Sequence, residues 1–161
     1  MDYWFVQLIT KALSRILFSL EVEGKENIPE RGAFIIAGNH CSNLDPPIIA
    51  VSVSRKLSFL AKRELFENKA FANILDNLNC IALDRMGIGK SVIKQSINVL
   101  NSGRGLLVFP EGTRSIDGKF GKGKAGVSVL AFASGAPVVP AFIDGTIRRC
   151  LREDTVSVLL R

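Results

Sequence analysis

The sequence predicts an α/β layered domain with a largely parallel or mixed central sheet flanked by helices. Three observations carry that prediction. Short apolar runs bounded by turn residues recur along the chain, segments with helical spacing separate them, and polar loops rich in chemistry follow several of the runs. At 161 residues the chain is long enough for one domain with a sizeable core and needs neither disulfides nor metals to hold it.

Taken in order, the first element is helical. From Trp4 to Leu20 the apolar residues Trp4, Phe5, Leu8, Ile9, Ala12, Leu13, Ile16, Leu17 and Leu20 form a wide stripe, with Gln7, Lys11, Ser14 and Arg15 opposite. The stripe predicts an amphipathic helix over 1–22 that associates with a membrane surface. Trp4 and Tyr3 would sit at headgroup level, with Lys11 and Arg15 toward anionic lipid. A helix packed on its own domain shows the same pattern. No uninterrupted apolar run is long enough to span a bilayer, and Asp2 and the lack of a small-residue cleavage site argue against a signal peptide.

Residues 23–161 form the second unit. Ala33–Ala37 reads as a buried strand, and Asp45-Pro46-Pro47 opens a helix to about Val53, since proline is tolerated in the first turn. Leu57–Ala61 is a strand, Phe71–Leu78 a short helix and Cys80–Leu83 a third strand. Ser91–Leu100 is helical, closed by Asn101-Ser102-Gly103, and Leu106–Phe109 is the next strand. Ala125–Ser134 is a helix ended by Gly135, and Val138–Ile143 and Val156–Leu160 are strands. Strands so apolar imply a sheet covered on both faces. In such folds the loops leaving the strands' carboxyl ends carry function. Those loops are Gly38–Asp45, Asp84-Arg85 and Pro110–Ser115.

Charge narrows the partners. A net charge of +6 and a pI near 9.5 call for an anionic partner. With 47% hydrophobic residues and a mean hydropathy of +0.25, a membrane surface fits better than nucleic acid. Cys41, Cys80 and Cys150 are odd in number and widely spaced, so neither a disulfide framework nor a zinc site is predicted, and a reducing, cytosol-facing location fits.

His40, the sole histidine, lies in a strand-to-helix loop five residues before Asp45. Histidine as a residue type, with an unperturbed value of about 6.5, suits proton transfer at neutral pH. A carboxylate can hold one ring nitrogen and leave the other as base. No GxSxG supplies an enzyme nucleophile, so such a pair would deprotonate a substrate hydroxyl. Taken alone, a His-x4-Asp pair is more often structural than catalytic. Phe109-Pro110-Glu111-Gly112-Thr113-Arg114-Ser115 alters the balance. It brings a carboxylate, a glycine, a hydroxyl and a guanidinium together, a set suited to a polyol phosphate. Gly87–Ser91 only imitates the end of a P-loop, because Asp84 stands where its first glycine belongs. Gly121–Gly126 matches GxGxxG without the preceding strand. Arg114, Lys119, Lys122 and Lys124 make a basic loop that could attract anionic headgroups or a CoA phosphate, or be solvated surface. Cys41 is read as structural.

Asn39-His40-x4-Asp45 followed by Phe109–Ser115 resembles the glycerolipid acyltransferase family, most closely its 1-acyl-glycerol-3-phosphate acyltransferases. Ile81–Arg85, Ala136–Ala141 and Ala61–Phe66 are similar to further stretches of that family, so the likeness covers residues 38–141. The resemblance implies transfer of an acyl group from acyl-CoA or acyl carrier protein to the free hydroxyl of lysophosphatidic acid, giving phosphatidic acid. His40 would be the general base and Asp45 its orienter. Glu111, Gly112, Thr113 and Arg114 would line the acceptor site, and Arg85 and Lys62 would contact phosphate. No cofactor or metal is implied beyond the thioester co-substrate. The partners are a membrane lipid surface, the acyl thioester donor and the lysophospholipid acceptor, with no nucleic acid, at the cytoplasmic face of a membrane. Family members commonly continue past the last motif, so an end at Arg161 implies a short or truncated form and leaves the final strands open. Glycerol 3-phosphate or another lysophospholipid is the alternative acceptor, and a non-catalytic anionic-lipid binding module is the alternative class.

Overall fold

The structure, a computed structural model, describes residues 19–83, 89–146 and 155–161, with Phe5, Gln7, Leu8, Thr10, Lys11 and Ala12. Its strands are β1 (Ser19–Glu23), β2 (Phe34–Gly38), β3 (Leu57–Lys62), β4 (Ile81–Leu83), β5 (Gly105–Val108), β6 (Val138–Asp144) and β7 (Thr155–Leu160). Its helices are α1 (Asp45–Ser52), α2 (Lys69–Asn77), α3 (Lys90–Asn101) and α4 (Gly126–Ser134). Short 3-10 turns at Lys25–Asn27 and Arg63–Phe66 follow β1 and β3.

The strands form one mixed seven-stranded sheet in the order β1-β7-β6-β2-β5-β3-β4. β2 to β6 run parallel, β7 is antiparallel to β6, and β1 is parallel to β7. Central strands are apolar on both sides because both faces are packed. Phe34, Ile36, Leu57, Phe59 and Leu107 join α1's Ile48 and Ile49 in one core cluster. Ile35, Leu106 and Val108 join Val92 and Leu100 of α3 and Leu130 of α4 in the other.

The coverage expected on both faces does not extend across β6. Its burial alternates, with Val139, Ala141 and Ile143 inside and Val138, Pro140 and Phe142 outside. Val138 lies opposite Ile35 in register and so shares the face of the sheet that α4 covers over β2. That face is open where it reaches β6.

The N-terminal region also departs from expectation. Phe5, Gln7, Leu8, Thr10, Lys11 and Ala12 are helical, and the Gln7 side-chain amide donates to the Ala50 and Val53 carbonyls at 2.7 and 3.1 Å, docking this segment on the end of α1. Ser19 to Val22, assigned to the helix over 1–22, belong instead to β1. Ser-Leu-Glu-Val-Glu alternates with a period of two, and Leu20 and Val22 pair with Val156 and Val158. The strand at Val156–Leu160 is present and lies between β1 and β6. Trp4, Tyr3 and Arg15, expected at the membrane, lie outside the described residues. No helix among the described residues is long and apolar enough to cross a membrane.

Candidate active site

Parallel alignment of β2, β5 and β3 delivers the loops after Gly38 and Val108, and Lys62 itself, to the same edge of the sheet. The first of these loops is anchored at once. Asn39 is buried, and its amide donates to the Ile143 carbonyl at 2.8 Å and accepts the Ile143 N–H at 2.7 Å. It thus imitates a peptide group and extends the β2–β6 pairing by one side chain.

His40 follows. Its Nδ1 lies 2.8 Å from Asp45 Oδ2, and that oxygen also accepts the N–H of Cys41 at 2.6 Å and of Ser42 at 2.8 Å. Asp45 is wholly buried at the first turn of α1, where the helix dipole favours an anion. Burial alone would raise its pKa. The hydrogen bonds from His40, from the Ser42 and Cys41 amides and the influence of the Thr146 hydroxyl outweigh that effect and hold the carboxyl below the usual aspartate range. An ionised carboxylate can only accept, so Nδ1 carries the hydrogen and Nε2 presents its lone pair. The ring stacks on Phe109, with centroids 4.0 Å apart and planes 12° from parallel, while 18% of the side chain stays exposed. The imidazole is therefore fixed in tautomer and in plane, with its second nitrogen left for chemistry.

The second loop is tied to the first. Glu111 Oε1 accepts the His40 N–H at 3.3 Å, Glu111 Oε2 accepts the Gly121 N–H at 2.7 Å, and the Ser115 N–H donates to the His40 carbonyl at 2.7 Å. Glu111 is buried and braces the two loops against each other. Both of its oxygens are aimed at backbone donors. A Cβ on Gly121 would stand 2.6 Å from Oε2, so the carboxylate needs that glycine's open side. Gly112 turns with φ +71 and its N–H reaches the Phe109 carbonyl at 3.0 Å, a turn that favours glycine.

Gly112, Thr113 and Arg114 are exposed beyond this brace. Lys62 is exposed at the end of β3, about 10 Å of sheet from β2 across β5. Arg85, and Asp84 before it, lie outside the described residues. The amino end of α1 has no amide to offer an oxyanion: Asp45 N donates to the Ser42 carbonyl, Pro46 and Pro47 have no N–H, and Ile48 N donates to the Leu44 carbonyl. Burial and the neighbouring Asp45 carboxylate raise the Cys41 thiol above its ordinary pKa although the Asn39 amide opposes them, which suits a structural thiol and not a nucleophile. Among the described residues no group of three His, Cys, Asp or Glu side chains could hold a metal ion.

Sequence reasoning missed Thr146. Its hydroxyl is buried in the turn after β6 and, like Asp45 Oδ1, has no partner at regular hydrogen-bond geometry, yet it stabilises the ionised form of Asp45. Nothing in the local sequence connects a threonine in the β6–β7 turn to a carboxylate at the start of α1.

At this site a buried, ionised aspartate orients the histidine through Nδ1 and leaves Nε2 without a part in that contact. The chain belongs to the acyltransferase family, whose model matches residues 19–144. Its relatives include the 1-acyl-sn-glycerol-3-phosphate acyltransferases of Bacillus subtilis, 31% identical across 89% of this chain and 71% of that one, and of Pseudomonas aeruginosa, 35% identical across 84% and 52%. The crystal structure of the 1-acyl-sn-glycerophosphate (LPA) acyltransferase PlsC from Thermotoga maritima superposes with a TM-score of 0.84 at 30% identity, covering 98% of this chain and 66% of that one. A probable 1-acyl-sn-glycerol-3-phosphate acyltransferase of Mycoplasma pneumoniae is matched over 48% of its length. The chain thus spans about half to two thirds of the length of most of these relatives.

Proposed function

We propose that this chain catalyses transfer of a fatty acyl group from acyl-CoA or acyl carrier protein to the free hydroxyl of 1-acyl-glycerol 3-phosphate, forming phosphatidic acid at the cytoplasmic face of a membrane. The observation that carries the reading is the 2.8 Å contact between His40 Nδ1 and the buried Asp45 carboxylate. The names of the relatives support the acceptor.

In this reading His40 Nε2 takes the proton from the acceptor hydroxyl as its oxygen attacks the thioester carbonyl. The new C–O bond forms, the C–S bond breaks, and the proton passes from His40 to the departing thiolate. Asp45 stabilises the imidazolium in between. Lys62, Arg85 and Arg114 supply cations for the acceptor phosphate, with Gly112 and Thr113 giving it room and a hydroxyl donor. Amides in the loop carrying Thr113 and Arg114 are better placed to meet the oxyanion than those of α1, whose first turn is fully committed.

His40→Ala tests the reading. Acyl transfer to lysophosphatidic acid should fall by about 10²–10⁴, the usual contribution of a positioned base, with the thermal transition retained. Turnover near that of the unmodified protein would exclude His40 as base. Product masses from a panel including glycerol 3-phosphate and other lysophospholipids identify the acceptor, and absence of thioester cleavage with every member points to a lipid-binding module.

A further inference from the structure

The loop from Arg114 to Lys124 combines two features that the acyl transfer chemistry does not require. Ile116 is 99% exposed and Phe120 73% exposed, large apolar side chains left in water and close together in sequence. Between and beyond them stand Lys119, Lys122 and Lys124, with Arg114 before them, and the single acid of the stretch, Asp117, is already engaged. Asp117 accepts from the Ser115 hydroxyl and from the Lys119 N–H, each at 3.2 Å, and lies 3.7 Å from the Lys119 ammonium.

The loop is braced, so this exposure is built in. Ser115 N–H holds one end to the His40 carbonyl and Gly121 N–H holds the other to Glu111, while Gly118 turns the tip with φ +81. The Phe120 ring meets Phe142 at 5.8 Å, which joins the tip to the open face of β6 with its exposed Val138 and Pro140. An apolar patch rimmed by cations marks an interaction surface, and that pairing is the signature of a monotopic contact with anionic lipid. A second copy of the chain would bring the same positive loop to the contact and be repelled. An anionic bilayer complements it.

We propose that the loop 114–124 is a docking surface for a bilayer containing anionic lipid, with Ile116 and Phe120 entering the interfacial region and Lys119 and Lys122 held at the headgroups. The surface lies directly beside His40, so docking would bring the catalytic edge of the sheet to the plane from which a lipid acceptor is drawn. That last consequence rests on the proposed acyl transfer; the lipid contact itself does not.

Co-sedimentation with vesicles of phosphatidylcholine and phosphatidylglycerol, against phosphatidylcholine alone, tests it. Ile116→Asp combined with Phe120→Asp should weaken partition onto the mixed vesicles by about tenfold or more, and the paired serine substitutions by less. Lys119→Ala and Lys122→Ala should each cost about fivefold on mixed vesicles and little on phosphatidylcholine alone. Acyl transfer to a detergent-dispersed acceptor should be unchanged in the Ile116 and Phe120 variants, and the thermal transition should be retained in all of them, which establishes folding. Mixed-vesicle affinity equal to the parent's in both sets of variants overturns the proposal and assigns lipid contact to the N-terminal segment. Retained affinity together with altered self-association in vesicle-free sedimentation overturns it in favour of a contact between copies. Lost affinity in a protein with no acyl transfer to any acceptor upholds the surface and rejects the catalytic reading.

Discussion

The loops after β2 and β5 leave neighbouring parallel strands at the same edge of the sheet, yet they treat their polar groups in opposite ways. From Asn39 to Asp45 the loop turns inward. Asn39 bonds β6, and one oxygen of Asp45 gathers the Cys41 and Ser42 amides together with the His40 ring. From Glu111 to Lys124 the backbone is tied down through Glu111, Ser115 and the Lys124 N–H, while Gly112, Thr113, Arg114, Ile116 and Phe120 face solvent. On the proposed function the difference separates two tasks. Proton transfer needs a ring held in one tautomer and one plane, whereas capture of a substrate or a surface needs groups that are presented and unobstructed.

Asp45→Asn should strain that division most. The amide nearly preserves shape, but it removes the charge that stabilises the imidazolium and offers an N–H₂ group that the loop amides cannot satisfy. Acyl transfer should fall by about 10²–10⁴ with little change in apparent acceptor affinity. A change confined to acceptor affinity would show that the first loop also captures substrate. Stability carries its own signature. The folded pKa of Asp45 is depressed, so its contribution is fully present above the unfolded value of about 3.9 and is lost as pH falls through the lower folded value. Denaturant melts across acidic pH should show the parent protein losing stability in that window and the Asp45→Asn variant changing less there. Equal acid slopes would mean that the carboxylate is not preferentially ionised in the fold.

Glu111→Gln probes the junction between the loops. The amide keeps one acceptor oxygen but leaves either the His40 or the Gly121 N–H facing an N–H₂ group. The expected cost is about 1–3 kcal/mol of stability, the usual penalty for an unsatisfied buried group, with turnover reduced and acceptor affinity altered less. Unchanged turnover with weakened acceptor affinity would assign Glu111 to the acceptor lining.

How much of this was legible in the sequence depended on how local each signal was. β2 and β5 announce themselves because Phe34-Ile35-Ile36 and Leu106-Leu107-Val108 are apolar on both sides, a pattern fixed within each strand. The His40–Asp45 pair was legible because both members lie in one loop, although it took the distant Phe109–Ser115 motif to favour catalysis. β1 was hidden because Leu20 completes a helical stripe begun at Trp4. The alternation of Leu20 and Val22 has meaning only against Val156 and Val158 at the opposite end of the chain. The bracing role of Glu111 was hidden too, since it depends on Gly121 approaching closely enough to exclude a Cβ. The motif identified an important carboxylate without revealing which way it points.

Thr146 offers the smallest effect and the finest division between holding Asp45 and merely packing near it. It is contributed by the turn after β6, outside both loops, and its buried hydroxyl and Asp45 Oδ1 are two polar atoms with no regular partner elsewhere in the described structure. Thr146→Val keeps the shape and removes the hydroxyl. Because that hydroxyl helps stabilise the charged carboxylate, the acid window of Asp45 should move toward higher pH, with a loss of about 1 kcal/mol at neutral pH and a decrease in turnover well short of that in Asp45→Asn. Thr146→Ser should restore the acid profile while leaving any packing loss in place. If the serine and valine variants behave alike, the residue acts through its methyl group, and the carboxylate is held by the inward-turned loop alone.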